Sequence, residues 1–328
     1  MNSSPIVVLA GGNGYIGGTT AFALREAGFR PVIIDNFSTS KKGTLKGFEI
    51  FETDLTDFEE TKSTLKEIGA VAGIIHFAAK ALVPESFEIP GTYFKNNLLS
   101  AINLAEIAVE LGVSNFIHSS SCAVYGIPKN VPILETSLSS ANSPYGDTKI
   151  MAEILLNRYQ QMRKLNVIHL RYFNPAGAWT QHSWGEAHDP ETHLIPNIIL
   201  AALKDRPVSL FGNQHPTSDG SCVRDFIHVV DLAEAHVKSL QLMLQGNNMP
   251  LCLNIGRGEG YSVLQVIETA QKVIGKKIQI KLEPAREGDP PQLVADSSLM
   301  KQILNWFPKR ELSTMIQDDW TWRSSIVK

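Results

Sequence analysis

Tyr145 and Lys149, within Ser143-Pro144-Tyr145-Gly146-Asp147-Thr148-Lys149, have the types and spacing for proton chemistry. Four residues apart, they share one face if the segment is helical. A free tyrosine, with a pKa of about 10, is a poor base at neutral pH. A neighbouring ammonium stabilises phenolate and lowers that value, which makes Tyr145 a candidate general base tuned by Lys149. The same spacing suits a solvated helix face, so a third group is needed to decide. Ser119-Ser120-Ser121 ends an apolar, strand-like run, with Ser121 24 residues before Tyr145. In open parallel sheets, ligands sit at the carboxyl ends of strands. A hydroxyl there can bond a substrate oxygen or relay a proton to Tyr145. Ser119 and Ser120 also fit a plain strand-to-loop turn, which leaves Ser121 as the candidate.

A second set is Gly11-Gly12-Asn13-Gly14-Tyr15-Ile16-Gly17, where Gly11, Gly14 and Gly17 recur at three-residue intervals after an apolar run. Glycine permits the tight turn and the approach of a pyrophosphate to the backbone, and the following helix N-terminus supplies N–H groups. A plain strand-to-helix turn has the same look. Asp35 adds weight, because it ends the second apolar run 18 residues after Gly17. A carboxylate there accepts hydrogen bonds from both hydroxyls of an adenosine ribose and repels a 2′-phosphate, which favours NAD over NADP. A turn or helix cap would use the same aspartate. Asp54-Leu55 follows a third apolar segment. Asp54 suits an adenine amino group, and equally the cap of a helix starting near Thr56. A nicotinamide cation would add to the effect of Lys149 on Tyr145.

These side chains need a scaffold, and the first half of the sequence predicts one. Strands are expected at Ile6–Ala10, Pro31–Asp35, Gly73–Ala78 and Asn115–Ser119, and helices over Tyr15–Ala27 and Asn97–Leu111. Strands alternating with helices imply a Rossmann-type, doubly wound parallel α/β sheet. The alternation stops near residue 174. Asn174–Pro196, rich in Trp, His, Gly, Pro and acidic residues, reads as a loop. Leu194–Leu203 then reads as a helix, Val208–Phe211 as a strand, Gly212–Ser221 as a loop, and Val230–Leu244 and Ser262–Gly275 as helices. The expected organisation is a nucleotide-binding domain over 1–174, to which some later segments return, and a smaller mixed α/β substrate-binding lobe, mainly 175–328.

Composition bounds the partners. Hydrophobic residues make up 43% of the chain, enough for a sizeable core, and the net charge of −3 offers no positive field for nucleic acid or an anionic membrane. No apolar stretch approaches the roughly 20 residues of a membrane span, and the N-terminus lacks the basic start and apolar core of a signal peptide. Cys122, Cys222 and Cys252 are odd in number and have no metal-type spacing, so they are expected to be reduced thiols of a cytoplasmic protein with no metal site.

Taken together, GGNGYIGGTT at 11–20, DNFSTS at 35–40, HFAAKALVPES at 76–86, NFIHSSSCAVYG at 115–126, SPYGDTK at 143–149 and RYFNPAGA at 171–178 resemble the extended short-chain dehydrogenase/reductases. The later runs LFGNQHPTSDGSCVRDFIHVVDLA at 210–233 and REGDPPQLVAD at 286–296 are more specific and resemble the nucleotide-sugar 4-epimerases of that family. The resemblance spans nearly the whole chain. It implies NAD-dependent 4-epimerisation of UDP-hexoses through a transient 4-keto sugar, with Tyr145 as base, Lys149 as its tuner and Ser121 as relay. For NAD it implies Gly11, Gly14, Tyr15, Ile16 and Gly17 at the pyrophosphate and Asp35 and Asn36 at the ribose. Asp54 and Leu55 would meet adenine, and Phe77, Ala78, Asn97 and Tyr172 would line the cofactor. For the UDP-sugar it implies Phe173, Asn174, His193, Leu194, Phe211, Arg224, Arg286, Asp289 and Leu293, with both arginines on the diphosphate. Paired guanidinium donors suit that group, although a surface ion pair would use an arginine equally well.

The chain departs from the family pattern in places. Ala81 stands where a cofactor-contacting lysine is frequent, with Lys80 one residue early; Ala123 replaces a frequent threonine; and His193 stands where asparagine is commoner. Leu293, smaller than the tyrosine some members carry, raises UDP-GlcNAc as an alternative substrate beside UDP-xylose/arabinose and UDP-glucuronate. Cys122-Ala123 after Ser121 lack the acidic pair expected of a sugar dehydratase. A non-catalytic NAD sensor is opposed by the intact Ser121, Tyr145 and Lys149. Family members commonly dimerise through the helices containing Asn97–Leu111 and Tyr145, so a homodimer is expected, although burial within one chain would explain the same apolar faces.

Overall fold

The computed structural model describes residues 4–162, 164–286 and 288–327. Strands and helices alternate as β1 (Ile6–Ala10), α1 (Tyr15–Glu26), β2 (Arg30–Asp35), β3 (Glu49–Glu52), α2 (Phe58–Ile68), β4 (Val71–His76), α3 (Val83–Glu88), α4 (Pro90–Glu110), β5 (Asn115–Ser121), α5 (Pro144–Gln161) and β6 (Asn166–Tyr172). The strand Cys252–Ile255 completes a seven-stranded sheet, in the order Cys252–Ile255, β6, β5, β4, β1, β2, β3. β1 pairs in parallel with β2 and β4, β2 with β3, and β4 with β5. The order reverses between β1 and β4, and the crevice at such a reversal is where doubly wound sheets bind ligands. The expected sheet is therefore present. Its central strands are apolar on both faces, as a sheet covered on both sides requires, and Val8, Ile34, Ile74, Leu104, Ile107 and Phe116 form part of one buried core.

Short-range signals set the elements that carry the candidate side chains. Ser143 caps α5 by accepting from the Gly146 N–H at 3.2 Å, and Pro144 occupies the first helical position, so Tyr145 falls in the first turn. α1 begins after Gly14 with no side-chain cap and no acidic residue in its first turn. Gly14, as N-cap residue, brings no side chain to its leading N–H groups.

The structure corrects several expected boundaries. α4 starts at Pro90, seven residues before the expected Asn97, because the proline seeds the first turn ahead of the apolar periodicity. Asn174–Ala176 is a short strand rather than loop. The helix after Asp54 starts at Phe58, not near Thr56, and Asp57 caps it by accepting from the Glu60 N–H at 3.0 Å.

The chain divides into two compact units. One comprises Met1–Gly126, Ser139–Arg171 and Ala233–Leu253; the other comprises Ile127–Leu138, Tyr172–Leu232 and Asn254–Lys328. In the second, Val223–His228 pairs in parallel with Asn174–Ala176 and Gln292–Leu293 and antiparallel with Gly260–Ser262. Val208–Phe211 pairs separately with Ile280–Glu283. Helix α6 (Leu194–Leu203) and the helices Val263–Ile274 and Leu312–Ile326 bury Ile195, Ile198, Ile199, Val266, Ile267, Met315 and Ile316 together. Among the described residues, no helix is long and apolar enough to cross a membrane.

Candidate active site

The first unit brings Ser121, Tyr145 and Lys149 together. Ser121 is the last residue of β5; its hydroxyl hydrogen-bonds Tyr145 and its Oγ also accepts from the Ala123 N–H at 3.1 Å. Tyr145 and Lys149 are both buried, and the Lys149 ammonium lies 5.9 Å from the Tyr145 ring centroid. Lys149 Nζ donates to the Ser119 carbonyl at 2.7 Å. The three serines therefore have three settings, since Ser120 Oγ points instead to Glu153 at 2.6 Å.

Electrostatics here differ from the expectation. The Tyr145 phenol is not lowered but pushed up to about 12, because burial penalises the phenolate more than the Ser121 hydrogen bond favours it. Burial also pulls Lys149 down to about 8, against the raising effect of Glu153. Desolvation thus disfavours the charged form of both groups.

The glycine turn lies where β1 and β4 diverge. Gly11 has φ +78°, and a Cβ there would stand 2.5 Å from the Ala78 backbone nitrogen. A Cβ on Gly17 would stand 2.7 Å from the Gly11 carbonyl, whereas one on Gly14 would meet only that carbonyl, at 3.6 Å. The chain's own packing thus requires Gly11 and Gly17, while Gly14 borders open space beside the uncapped N-terminus of α1. Tyr15 and Ile16 open that helix, and Ala10 O accepts from the Phe77 and Ala78 N–H groups at 2.7 and 2.9 Å.

Asp35 ties this turn to β2. Its Oδ2 accepts from Asn13 N–H at 2.9 Å, and its Oδ1 from Phe37 N–H at 2.8 Å and Ser40 Oγ at 3.1 Å. A carboxylate offers about four acceptor sites, so capacity remains for a ligand hydroxyl. Asn36 Oδ1 accepts from Ser38 N–H at 3.1 Å. Asp54 accepts from the backbone and hydroxyl of Thr56 at 2.9 and 2.8 Å, a local turn rather than a helix cap, and Leu55 is in the core. Asn97 is fully engaged: it bonds the Lys80 N–H and carbonyl at 2.8 and 3.1 Å and Thr148 Oγ1 at 3.0 Å, which fixes the β4–α3 loop to α5. Lys80 Nζ itself stands 3.9 Å from Glu85.

Sequence reasoning missed Glu153 and Arg171, which form a buried ion pair beneath this site at 2.6 Å. The available signal was a carboxylate four residues beyond Lys149 on the helix face that Tyr145 shares. Also missed was a buried run of imidazoles: His118 Nδ1 lies 3.1 Å from His169 Nδ1, and the His76 and His118 rings are 6.0 Å apart. Burial lowers all three below the ordinary histidine value, so they are neutral.

The second unit holds the other candidates. Tyr172 and Phe173 are buried, and Asn174 Nδ2 donates to the Asp225 carbonyl at 2.9 Å. Arg224 forms an ion pair with Asp289, so two residues expected on different parts of a ligand face each other here. Leu293 is in register with Arg224 on the neighbouring strand. Arg286 stacks over Phe211, its guanidinium carbon 3.8 Å from the ring centroid. His193 is the N-cap residue of α6 and Leu194 its first residue. Asp225, not anticipated, is buried and accepts from the backbone N–H groups of Arg257, Gly258 and Ala295. Cys122, Cys222 and Cys252 are all free thiols.

The chain as a whole is similar to known proteins. Residues 7–256 match the NAD dependent epimerase/dehydratase family. UDP-glucose 4-epimerase of Bacillus subtilis is 40% identical over 98% of this chain and 97% of its own. The crystal structure of UDP-glucose 4-epimerase from Brucella ovis in complex with NAD superposes with a TM-score of 0.92 at 36% identity, covering 97% of this chain and 98% of that one. The Bifidobacterium longum enzyme, in complex with NAD+ and UDP, gives a TM-score of 0.92 at 31% identity, with 98% of each chain covered.

Proposed function

The chain belongs to the NAD dependent epimerase/dehydratase family, and we propose that it is an NAD-dependent UDP-glucose 4-epimerase that interconverts UDP-glucose and UDP-galactose. The observation that carries this reading is the hydrogen-bonded Ser121–Tyr145 pair with Lys149 beside it, buried at the carboxyl end of β5.

The glycine turn fits a dinucleotide: open space at Gly14, beside the N-terminus of α1, suits a pyrophosphate. Gly11, Gly14, Tyr15, Ile16 and Gly17 would hold that group, Asp35 and Asn36 the ribose, Asp54 and Leu55 the adenine, and Phe77, Ala78, Asn97 and Tyr172 the rest. Bound NAD supplies reversible hydride chemistry at the sugar C4. The chain does the remainder. Tyr145 takes the proton of the 4-hydroxyl, with Ser121 in the same hydrogen-bonded chain, and gives it back when the 4-keto sugar is reduced from its other face. Lys149 holds positive charge beside the phenol. Arg224 and Arg286 grip the diphosphate while the keto sugar turns, with Phe173, Asn174, His193, Leu194, Phe211, Asp289 and Leu293 around the nucleotide and sugar.

Purified protein incubated with UDP-galactose and no added NAD should yield UDP-glucose. No product, even with NAD supplied, would defeat the reading. Replacement of Asp35 with serine removes a charged acceptor from the ribose and from Asn13 N–H. NAD retained through purification, read by absorbance, is expected to fall roughly tenfold or more. Undiminished NAD content would remove Asp35 from the cofactor site.

We also propose a homodimer, supported by the exposed apolar side chains Phe87 on α3 and Met151 and Ile154 on α5. A cytoplasmic location is supported by the three free thiols.

A further inference from the structure

A histidine stands at the N-terminal end of a helix in the second unit. His193 is the N-cap of α6, where the helix dipole favours anions, and it caps nothing with its side chain. Its Nδ1 lies 2.8 Å from Glu186 and 3.0 Å from Glu191. The Glu186 carboxylate is only 4% exposed and also meets His188 Nδ1 at 2.9 Å. Glu191 Oε1 further accepts from the Thr192 and His193 N–H groups at 2.9 and 3.0 Å, and Arg323 reaches the Glu186 carbonyl at 2.9 Å and the Glu191 carboxylate at 3.5 Å. Asp319, one turn earlier on the same helix as Arg323, bonds its Nε at 3.2 Å. Among the described residues, no hydrogen bond reaches His193 Nε2.

We propose that Glu186, with Glu191, is a positioning residue that keeps His193 an imidazolium with its Nε2–H free for the UDP-sugar. This rests on the reading of His193 as a substrate contact. Burial disfavours the charged ring, but Glu186 and then Glu191 outweigh it and hold His193 well above the ordinary imidazole range. The same unit's Arg224 is already compensated by Asp289, and asparagine, the residue commoner at position 193, would bring no charge. Glu186, His188 and His193 also place ligand atoms within 4.8 Å of one another, a spacing a divalent ion could use. A metal there would have to displace the proton that two carboxylates hold on Nδ1, so the geometry favours the proton.

Side-chain NMR of the purified protein without substrate tests the clamp. His193 is expected to stay protonated through pH 8 in the natural sequence and to titrate closer to 6.5 in Glu186→Gln. A natural-sequence His193 that titrates near 6.5, or one that loses its proton to stoichiometric Zn2+ at pH 7, overturns the proposal whatever the protein acts on. Kinetics test the role. Glu186→Gln should raise KM for UDP-galactose roughly tenfold at pH 8, keep kcat within about twofold, and approach the natural KM at pH 6; Glu186→Asp should restore most of the loss. A KM unchanged at pH 8 despite a lowered His193 pKa overturns the positioning role. Should Glu186→Gln not fold, His193→Asn must show the raised KM at both pH values. Absence of any turnover in the natural sequence counts against the functional reading, and the NMR titration decides the clamp independently of it.

Discussion

Tyr145→Phe should fold, retain NAD and lose about three orders of magnitude in kcat. The substitution removes one hydroxyl from a buried ring, whose recorded hydrogen-bond partner, Ser121, keeps its contact with the Ala123 N–H. Little stability is at stake, while the proposed general base is gone, and general-base catalysis of this kind contributes roughly 10²–10⁴-fold. In the chain alone the phenol is pushed up to about 12 by burial, and Lys149 down to about 8. A phenol at that value is almost wholly protonated at neutral pH, so the tyrosine becomes a base only when a further positive charge arrives beside it. That links proton transfer to the bound state of the nicotinamide. Ultraviolet titration should therefore find the tyrosinate transition well below 12 in NAD-loaded protein and near 12 in stripped protein. Lys149→Met should raise the loaded value, because the same field is then built from one charge instead of two. A Tyr145→Phe variant with more than a tenth of the original turnover would remove Tyr145 from the role of base.

How much of this could be read in advance depends on the range of the interaction. The glycine turn, α1, α6 (Leu194–Leu203) and the strand Val208–Phe211 lie where the sequence predicts them, because caps, glycines and apolar periodicity act within a few residues. The candidate trio came from spacing and strand ends, and the structure does gather Ser121, Tyr145 and Lys149. Its electrostatics were not legible, since spacing reveals the Coulombic neighbour but not the burial that outweighs it. Long-range pairings were equally hidden. Glu153 and Arg171, 18 residues apart, carry no local mark of their pairing. The residues 127–138 read as part of the first half, yet Ile133 N–H donates to the Val294 carbonyl at 2.8 Å and that segment belongs with the second unit. Asn174–Ala176 read as loop within a segment rich in Trp, His, Gly, Pro and acidic residues, and its pairing with Val223–His228, distant in sequence, makes it a strand.

The Glu153–Arg171 pair carries the largest stability effect expected of a single side chain here. Arg171 donates from Nε at 2.9 Å and from Nη2 at 2.6 Å to the two carboxylate oxygens, and from Nη1 to the Tyr125 hydroxyl at 2.9 Å. Ser120 adds a hydroxyl at 2.6 Å. The two side chains are only 7% and 8% exposed, so removing one partner leaves the other charge buried. Glu153→Gln should cost about 3–5 kcal/mol and lower Tm by roughly 10 °C. Replacing both residues with methionine should recover most of that, because the desolvation of two ions is then avoided along with their attraction. Burial alone would raise the Glu153 carboxyl, but the Arg171 guanidinium outweighs it and holds the group below its ordinary value. The pair's contribution is accordingly complete above the ordinary carboxylate pKa and is lost as pH falls through the lowered folded value. Thermal scans of the natural sequence and Glu153→Gln should separate fully above the ordinary carboxylate range and converge only once the pH has fallen below the lowered Glu153 value. Because β5 delivers Ser120 to this pair and Ser121 to Tyr145, the same cross-link sets the strand end against α5. Equal Tm for Glu153→Gln and the natural sequence at pH 7 would show that the pair adds nothing, and that apolar packing of α5 holds the strand end by itself.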